Sequence, residues 1–296
     1  MTTAGDDVGR AAEILGNGGL VAIPTETVYG LAAMARDVRA VRRIYEVKGR
    51  PAGHPLIVHL HDREGASEWA DEWSVSAESL TQRWWPGPLT VVVRRSAIVP
   101  DVVTGGHDTV ALRVPAHPLT LRLLAAVGDG LAAPSANRFG RVSPTTARHV
   151  IADLGDQVDY VLDGGPCSVG LESTIVDCTS DPVQILRPGR VTREDVATSV
   201  SRVAESSGPS RAPGMLASHY APACRLVLHE QRPDSLPDGE PIVDASVDPG
   251  SFARDMYEML RRADVDGVDT MHVVLPPARG IGVAIRDRLT KAAAGR

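Results

Sequence analysis

Apolar residues in this chain fall into short unbroken runs and one-sided stripes, and the alternation of the two predicts an α/β protein. A stripe over 7–15 reads as an amphipathic helix, closed by Gly16, Gly18 and Gly19. The run at 20–23 reads as a buried strand stopped by Pro24, and Thr25, Thr27, Tyr29 and Gly30 follow it. Over 38–47, Val41, Ile44, Tyr45 and Val47 share one side while Arg39, Arg42 and Arg43 share the other. That helix stops at Lys48-Gly49-Arg50-Pro51, which sets two cations on a rigid turn. A second strand, 55–60, carries His59 near its end and follows His54.

The same reading places helices at 64–72 and 76–84, then a strand at 89–93 after the Trp85-Pro86-Gly87-Pro88 turn. A loop at 104–108 leads to a strand at 109–114, which opens on Thr109 and carries Arg113. A helix at 119–127 follows, and a strand at 131–134 runs through Ala133 into Ser135-Ala136-Asn137. After the FGRVSP turn with Ser143 comes a capped helix at 145–154. Strands at 159–162, 173–177 and 183–186 come next, the second opening on Ser173 and the third ending in Arg187, and a helix at 192–204 closes the unit.

Residues 205–222 are dense in Ser, Pro and Gly and mark the clearest boundary, giving domains at 1–205 and 223–296 with a linker at 206–222. Met215, Leu216, His219 and Tyr220 make that linker unlike a solvated spacer and suit it to dock over a surface as a lid. Beyond it, strands at 226–228, 242–244 and 272–275 alternate with helices at 252–262 and 282–292, which predicts a small parallel-sheet, Rossmann-like α/β domain.

Length and charge narrow the class. With 296 residues the chain can bury a sizeable core, and 23% charged residues suit a soluble globular protein. No apolar run approaches the ~20 residues of a membrane span, and the N-terminus lacks the basic start and apolar stretch of a secretory signal. Three cysteines without Cys-x-x-Cys spacing argue against a disulfide framework or a zinc site. A cytoplasmic protein with no membrane partner is expected. The net charge of −6 makes nucleic-acid binding weak at most, while the local cluster of Arg36, Arg39, Arg42, Arg43, Lys48 and Arg50 suits a small polyanion. Lys48 and Lys291 are the only two lysines among 31 basic residues, so arginine is used almost everywhere else. A lysine in the densest polar turn suggests a compact charge directed at phosphate.

Common nucleotide signatures are absent: neither a P-loop nor a complete Gly-x-Gly-x-x-Gly occurs, and neither Ser135 nor Ser173 sits in Gly-x-Ser-x-Gly. Glu26 and Glu172 are a candidate acid/base pair, although each adjoins a hydroxyl-rich strand end it could simply brace. Thr25/Thr27, Lys48/Arg50, Arg113, Ser135/Asn137, Ser173/Thr174 and Arg187 gather where strands meet turns, the usual place for an α/β site.

The ordered set PTETVYGL, KGRPxxHPLIVH, APSAN, ESTIVD and RPG, spanning about 8–205, resembles the YrdC-type threonylcarbamoyl-AMP synthases. Their Lys-x-Arg and Ser-x-Asn pairs stand here as Lys48/Arg50 and Ser135/Asn137, and APGMLASHYAP with GIGVAIRDRL resembles the two-domain form. The resemblance implies a twisted mixed-sheet catalytic domain and a reaction in which L-threonine, bicarbonate or CO2 and ATP give threonylcarbamoyl-adenylate and pyrophosphate. Mg²⁺ accompanies ATP, no protein residue is expected to bind metal by itself, and a partner transferase passes the group to tRNA. Carried over by position, Thr27, His59, Arg113, the main chain at Ala133 and Ser173 surround threonine. Arg50, His54, Thr109, Ser135, Asn137, Ser143, Arg187 and Tyr220 surround ATP, with Lys48 and Arg50 as the catalytic cations. Two other classes stay open: an RNA-binding module, and a carbamoyl transferase whose cysteine-rich and acylphosphatase-like segments this chain lacks.

Overall fold

The structure is a computed structural model that describes residues 2–206 and 219–294. Its first unit opens with Thr3–Gly5 (β1), Val8–Gly16 (α1), Val21–Ile23 (β2), Gly30–Met34 (β3), Val38–Lys48 (α2) and Ile57–His59 (β4). Ala66–Trp69 (α3), Ala70–Glu72 (β5), Val75–Trp84 (α4), Leu89–Arg95 (β6), Asp101–Thr104 (α5) and Thr109–Arg113 (β7) follow. Pro118–Val127 (α6), Leu131–Ala132 (β8), Ala147–Leu154 (α7), Tyr160–Leu162 (β9), Thr174–Asp177 (β10), Val183–Arg187 (β11), Arg193–Ala197 (α8) and Val203–Glu205 (β12) complete it. The second unit holds Arg225–His229 (β13), Ile242–Asp244 (β14), Pro249–Val265 (α9), Thr270–Val274 (β15) and Ile281–Ala293 (α10).

The strands of the first unit form one twisted mixed sheet in the order β1-β9-β2-β3-β8-β4-β7-β6-β10-β11-β12, with β5 beside β6. Side-chain alternation gives its centre two faces. Val58, Leu112 and Val91 point to one face and join Val41, Ile44 and Leu80 of the helices in the main core. Ile57, Val92, Ala111, Ile175 and Leu186 point to the other and make a thin apolar patch. That second face is the floor of a cleft.

Helix α2 feeds the cleft its cations. Asp37 caps its start by accepting from the Arg39 and Ala40 N–H groups, and Ala40, Val41, Ile44 and Tyr45 are buried along one side. Gly49 ends it at φ 63°, a left-handed turn that costs glycine little. The turn leaves Lys48 buried under the sheet-side loops.

The second unit is a three-stranded parallel sheet in the order β13-β15-β14, with α9 and α10 packed through Met256, Tyr257, Leu260, Ile285 and Leu289. The same cluster takes in Val28, Val142 and Leu171 of the first unit, so the second unit is seated on the rim of the cleft.

Some expected elements differ. The helix expected at 64–72 ends at Trp69, and 70–72 extends to pair with the edge of β6 across a register shift. The helix expected at 192–204 ends at Ala197, where Thr198, Ser199, Val200 and Ser201 favour other conformations, and Val203–Glu205 joins β11 instead. Strand β3 went unpredicted because Gly-Leu-Ala-Ala-Met carries no β-branched residue. Strands of the C-terminal sheet are parallel as expected, but a Rossmann half sets its first strand beside its second, and here β15 separates β13 from β14. The connection 230–241 contains no helix. Of the linker, residues 207–218, including Met215 and Leu216, lie outside the described residues.

Candidate active site

The cleft floor is ordered along β4 and β7, which run parallel with Ile57 beside Ala111 and His59 beside Arg113. Positions 109, 111 and 113 share a face, as do 55, 57 and 59. Arg113 and His59 therefore stand at one end of the floor. Thr109 opens β7 at the other, roughly 13 Å away at the ~3.3 Å rise of a strand.

At the first end, a cavity of about 40 Å³ is lined by Thr25, Thr27, His59, Arg113, Ala133 and Ser173, among others. A site of that size takes roughly three water-sized groups. Arg113 is fixed on three sides: it donates to Glu26 Oε1 (2.7 Å), Thr27 Oγ1 (2.9 Å) and the Gly87 carbonyl (3.1 Å). Glu26 in turn accepts from the Ala116 N–H (3.0 Å). Three of five guanidinium hydrogens are thus engaged in these bonds. Ser173 Oγ lies 2.8 Å from Thr90 Oγ1 and accepts from Arg187 Nη2 (3.0 Å), which also donates to the Ser173 carbonyl. Burial, and then the nearby Arg113 charge, hold His59 down at about 3, so its ring is neutral at physiological pH. Its Nδ1 is buried without a hydrogen-bond partner.

At the other end the loop 135–141 is stapled to α2. The Lys48 ammonium donates to the carbonyls of Ser135 and Asn137, and the Lys48 carbonyl accepts from the Phe139 N–H (2.8 Å). Lys48 is 2% exposed; burial first, and Arg50 second, press its pKa well below the ordinary lysine value. Arg50 donates to the carbonyls of Pro55 (3.0 Å) and His54 (3.4 Å) and lies 5.7 Å from the Phe139 ring. Burial lowers it to about 10, so it stays charged at neutral pH. Asn137 Nδ2 donates to the carbonyls of Arg138 and Arg141 (both 2.8 Å), while its Oδ1 is buried without a partner. The main chain of Ser135 pairs with Gly30, which joins this loop to the threonine-rich turn.

Rings line the far wall. His54 meets Phe139 edge-on at 5.5 Å, Phe139 meets His219 at 5.7 Å, and His219 meets Tyr220 at 4.2 Å. Tyr220 is 1% exposed, holds φ 64°, and stacks on Tyr257 at 5.9 Å.

All five residues expected around threonine line the one cavity. Of the residues expected around ATP, only Arg187 reaches it. Arg50, His54, Ser135 and Asn137 instead gather around Phe139 and Lys48. Ser143 reaches the cavity through one of its lining residues, its hydroxyl donating to Glu172 Oε1 (2.6 Å). The acid/base pairing considered for Glu26 and Glu172 is not what the geometry offers: each is tied to an arginine, Glu26 to Arg113 and Glu172 to Arg288. Sequence reasoning gave no site role to Arg288 and Tyr257, which reach Glu172 from the second unit, although Arg288 lies in the GIGVAIRDRL motif. A larger cavity of about 840 Å³, lined by Arg193, Arg286 and Lys291 among others, lies between β11–α8 and α10 and contains none of the expected site residues.

Residues 13–189 match the Sua5/YciO/YrdC family, described as telomere recombination, and residues 191–294 match the C-terminal domain of threonylcarbamoyl-AMP synthase. The threonylcarbamoyl-AMP synthase of Pyrococcus abyssi is 38% identical, with 97% of this chain and 94% of that protein covered. That of Bacillus subtilis is 36% identical, with 100% and 95% covered. The crystal structure of P. abyssi Sua5 complexed with L-threonine superposes with a TM-score of 0.92 at 36% identity, covering 100% of this chain and 98% of that one.

Proposed function

The chain belongs to the Sua5/YrdC family in its two-domain form, and we propose that it is a threonylcarbamoyl-AMP synthase acting on L-threonine, bicarbonate or CO2, and ATP. The observation that carries this reading is the gathering of Thr27, His59, Arg113, Ala133 and Ser173 around one cavity, at one end of a floor that runs on toward Arg50 and Thr109.

In this reading the two uncommitted N–H groups of Arg113 take the threonine carboxylate as a bidentate pair. Thr27, Ser173 and neutral His59 offer hydrogen bonds without adding charge. The threonine amine nitrogen bonds the carbon of CO2, a C=O π pair moves onto oxygen and an amine proton leaves to solvent, giving a carbamate whose oxygen attacks the α-phosphorus of ATP. One P–O bond forms, the bridging P–O bond breaks, and its electron pair leaves on pyrophosphate. The protein's work is to align two anionic reactants and to spread their charge over fixed donors, with no protein nucleophile. Lys48 has one N–H beyond the two it gives to carbonyls, and it stands with Arg50 as the donor pair for the phosphates. Ser135, Asn137, Ser143, Arg187, His54, Thr109 and Tyr220 hold the remainder of the nucleotide.

Mg²⁺ enters as part of the ATP substrate. Among the described residues no three His, Cys, Asp or Glu side chains group as a metal site, and Glu26 and Glu172 are committed to arginines. In this reading triphosphate oxygens and water supply most of its ligands, as Mg²⁺ commonly accepts. No helix among the described residues is long and apolar enough to cross a membrane. The mixed-anhydride product is labile, which fits transfer in the cytoplasm to a transferase that modifies tRNA.

The test is product analysis after incubation with ATP, L-threonine, bicarbonate and Mg²⁺. Pyrophosphate release should require threonine and bicarbonate together, with the adenylate seen by mass spectrometry. Equal ATP breakdown without threonine sinks the reading.

A further inference from the structure

One wall of the cleft belongs to the second unit, and its apolar contact with the first is joined by an ionic one. Glu172, next to Ser173, is buried with both oxygens engaged: Oε1 accepts from Ser143 Oγ (2.6 Å), and Oε2 accepts from the Tyr257 hydroxyl (2.7 Å) and Arg288 Nε (2.8 Å). Although burial alone would raise it, the charges of Arg288 and Arg187 and these hydrogen bonds hold Glu172 at about 2. Arg288 is 1% exposed, donates also to the Pro188 carbonyl (3.0 Å) and to Asp287, and lies 5.1 Å over the Tyr220 ring. Tyr257 stacks on that same ring. Two side chains of the C-terminal unit thus hold both the carboxylate that orients Ser143 and the aromatic ring that closes the far wall.

A carboxylate in a cleft that receives triphosphate repels its ligand unless a cation cancels it. We propose that Arg288, together with Tyr257, is a positioning residue for the nucleotide half of the site, cancelling the charge of Glu172, fixing the Ser143 hydroxyl and seating Tyr220. The proposal rests on the nucleotide reading above and extends it to residues outside the catalytic unit. It makes the second unit a working part of the site.

The test measures the affinity of the full chain for a non-hydrolysable ATP analogue by titration calorimetry, alongside the KM for threonine. Arg288→Met should weaken analogue binding by roughly 10–30-fold, since a buried carboxylate is left without its partner. Tyr257→Phe, which removes one hydrogen bond, should weaken it by roughly 3–10-fold, with a smaller rise in the threonine KM because Glu172 also lines that cavity. The double variant Glu172→Gln/Arg288→Met should return to within about threefold of the unsubstituted protein, because the charge to be cancelled is gone. A double variant as weak as Arg288→Met overturns the proposal, as does unchanged affinity in Arg288→Met. If Arg288→Met does not fold, Tyr257→Phe decides, and unchanged nucleotide affinity there is the overturning result. Analogue binding by an unsubstituted protein that makes no adenylate would sink the synthase reading while leaving this comparison intact.

Discussion

Lys48 is both a staple and a charge, and replacing it separates the two roles. Its ammonium donates to two buried carbonyls, those of Ser135 and Asn137. Hydrogen bonds from a charged donor contribute about 1.5–3 kcal/mol each, so the pair supplies roughly 3–6 kcal/mol before costs. Burying the ammonium offsets much of that, in line with its pKa lying well below the ordinary value. Lys48→Met keeps most of the stem volume and removes the buried charge, so the net loss of stability should be only about 1–3 kcal/mol. At about 2–4 °C per kcal/mol the melting temperature should fall by less than about 12 °C, and the variant should stay folded at assay temperature. Turnover should fall much further, by about 10²–10³-fold, the usual effect of removing one preorganised donor from a charge-developing transition state. Lys48→Arg should not restore it, because a planar fork cannot meet two carbonyls and a phosphate as a compact ammonium does. The assay is pyrophosphate release at saturating threonine, bicarbonate and MgATP, with thermal melts run in parallel. A Lys48→Met enzyme within about tenfold of full turnover, or a fully active Lys48→Arg, refutes the catalytic role and leaves only the staple.

Arg113→Lys should raise the threonine KM by at least roughly 100-fold while the ATP KM changes little, since a lysine cannot hold Glu26 and still offer a two-pronged grip to a carboxylate; steady-state kinetics in both substrates check it, and equal changes in both KM values count against it. Tyr220→Ala should lower the melting temperature, since the ring is 1% exposed and stacks on Tyr257, and should also raise the ATP KM or increase loss of the adenylate; if kinetics and ligand protection from proteolysis both stay intact, Tyr220 only tethers the second unit. His59, held near 3 when folded and titrating near 6.5 when unfolded, contributes stability that is complete above about pH 6.5 and is lost as pH falls toward 3. Between pH 6.5 and 5 that loss is about 2 kcal/mol, so melts across this range should slope downward toward acid, and His59→Gln should flatten the slope.

The grouping of Thr27, His59, Arg113, Ala133 and Ser173 in one cavity was legible in the sequence because local order and spatial order coincide there. Thr27 lies just past one strand, His59 and Arg113 end two parallel neighbours, and Ser173 opens a third, so reading strand ends amounts to reading the pocket. The strand ends were themselves readable, because apolar runs stop at Pro24, at Pro134 and, after Arg187, at Pro188. Where strand chemistry was weak, legibility failed. The sequence Gly-Leu-Ala-Ala-Met looks like a connection, yet it is a central strand, because it is buried between two neighbours that supply its hydrogen bonds. Propensity is a half-buried-surface effect, and a strand whose packing comes from its neighbours does not announce itself.

The nucleotide half shows a different limit. A motif identifies which residues matter without saying what each one touches. Lys48 was read as a cation aimed at phosphate, yet two of its three hydrogens hold the Ser-x-Asn loop, which explains why the two pairs occur together in one protein: the first pair builds the loop that presents the second. Glu172 was weighed as an acid/base group because a carboxylate beside a serine suggests proton transfer. Its partners lie 85 and 116 residues away in the second unit, and no local pattern carries a contact of that range. Once Arg288 is in place, Glu172 is too acidic to store a proton near neutral pH and is suited only to hold its donors. The separation between a catalytic carboxylate and a bracing one is therefore decided by the domain that the motif does not include, and this is why removing the Arg288 charge is a sharper probe of the cleft than removing Glu172 itself.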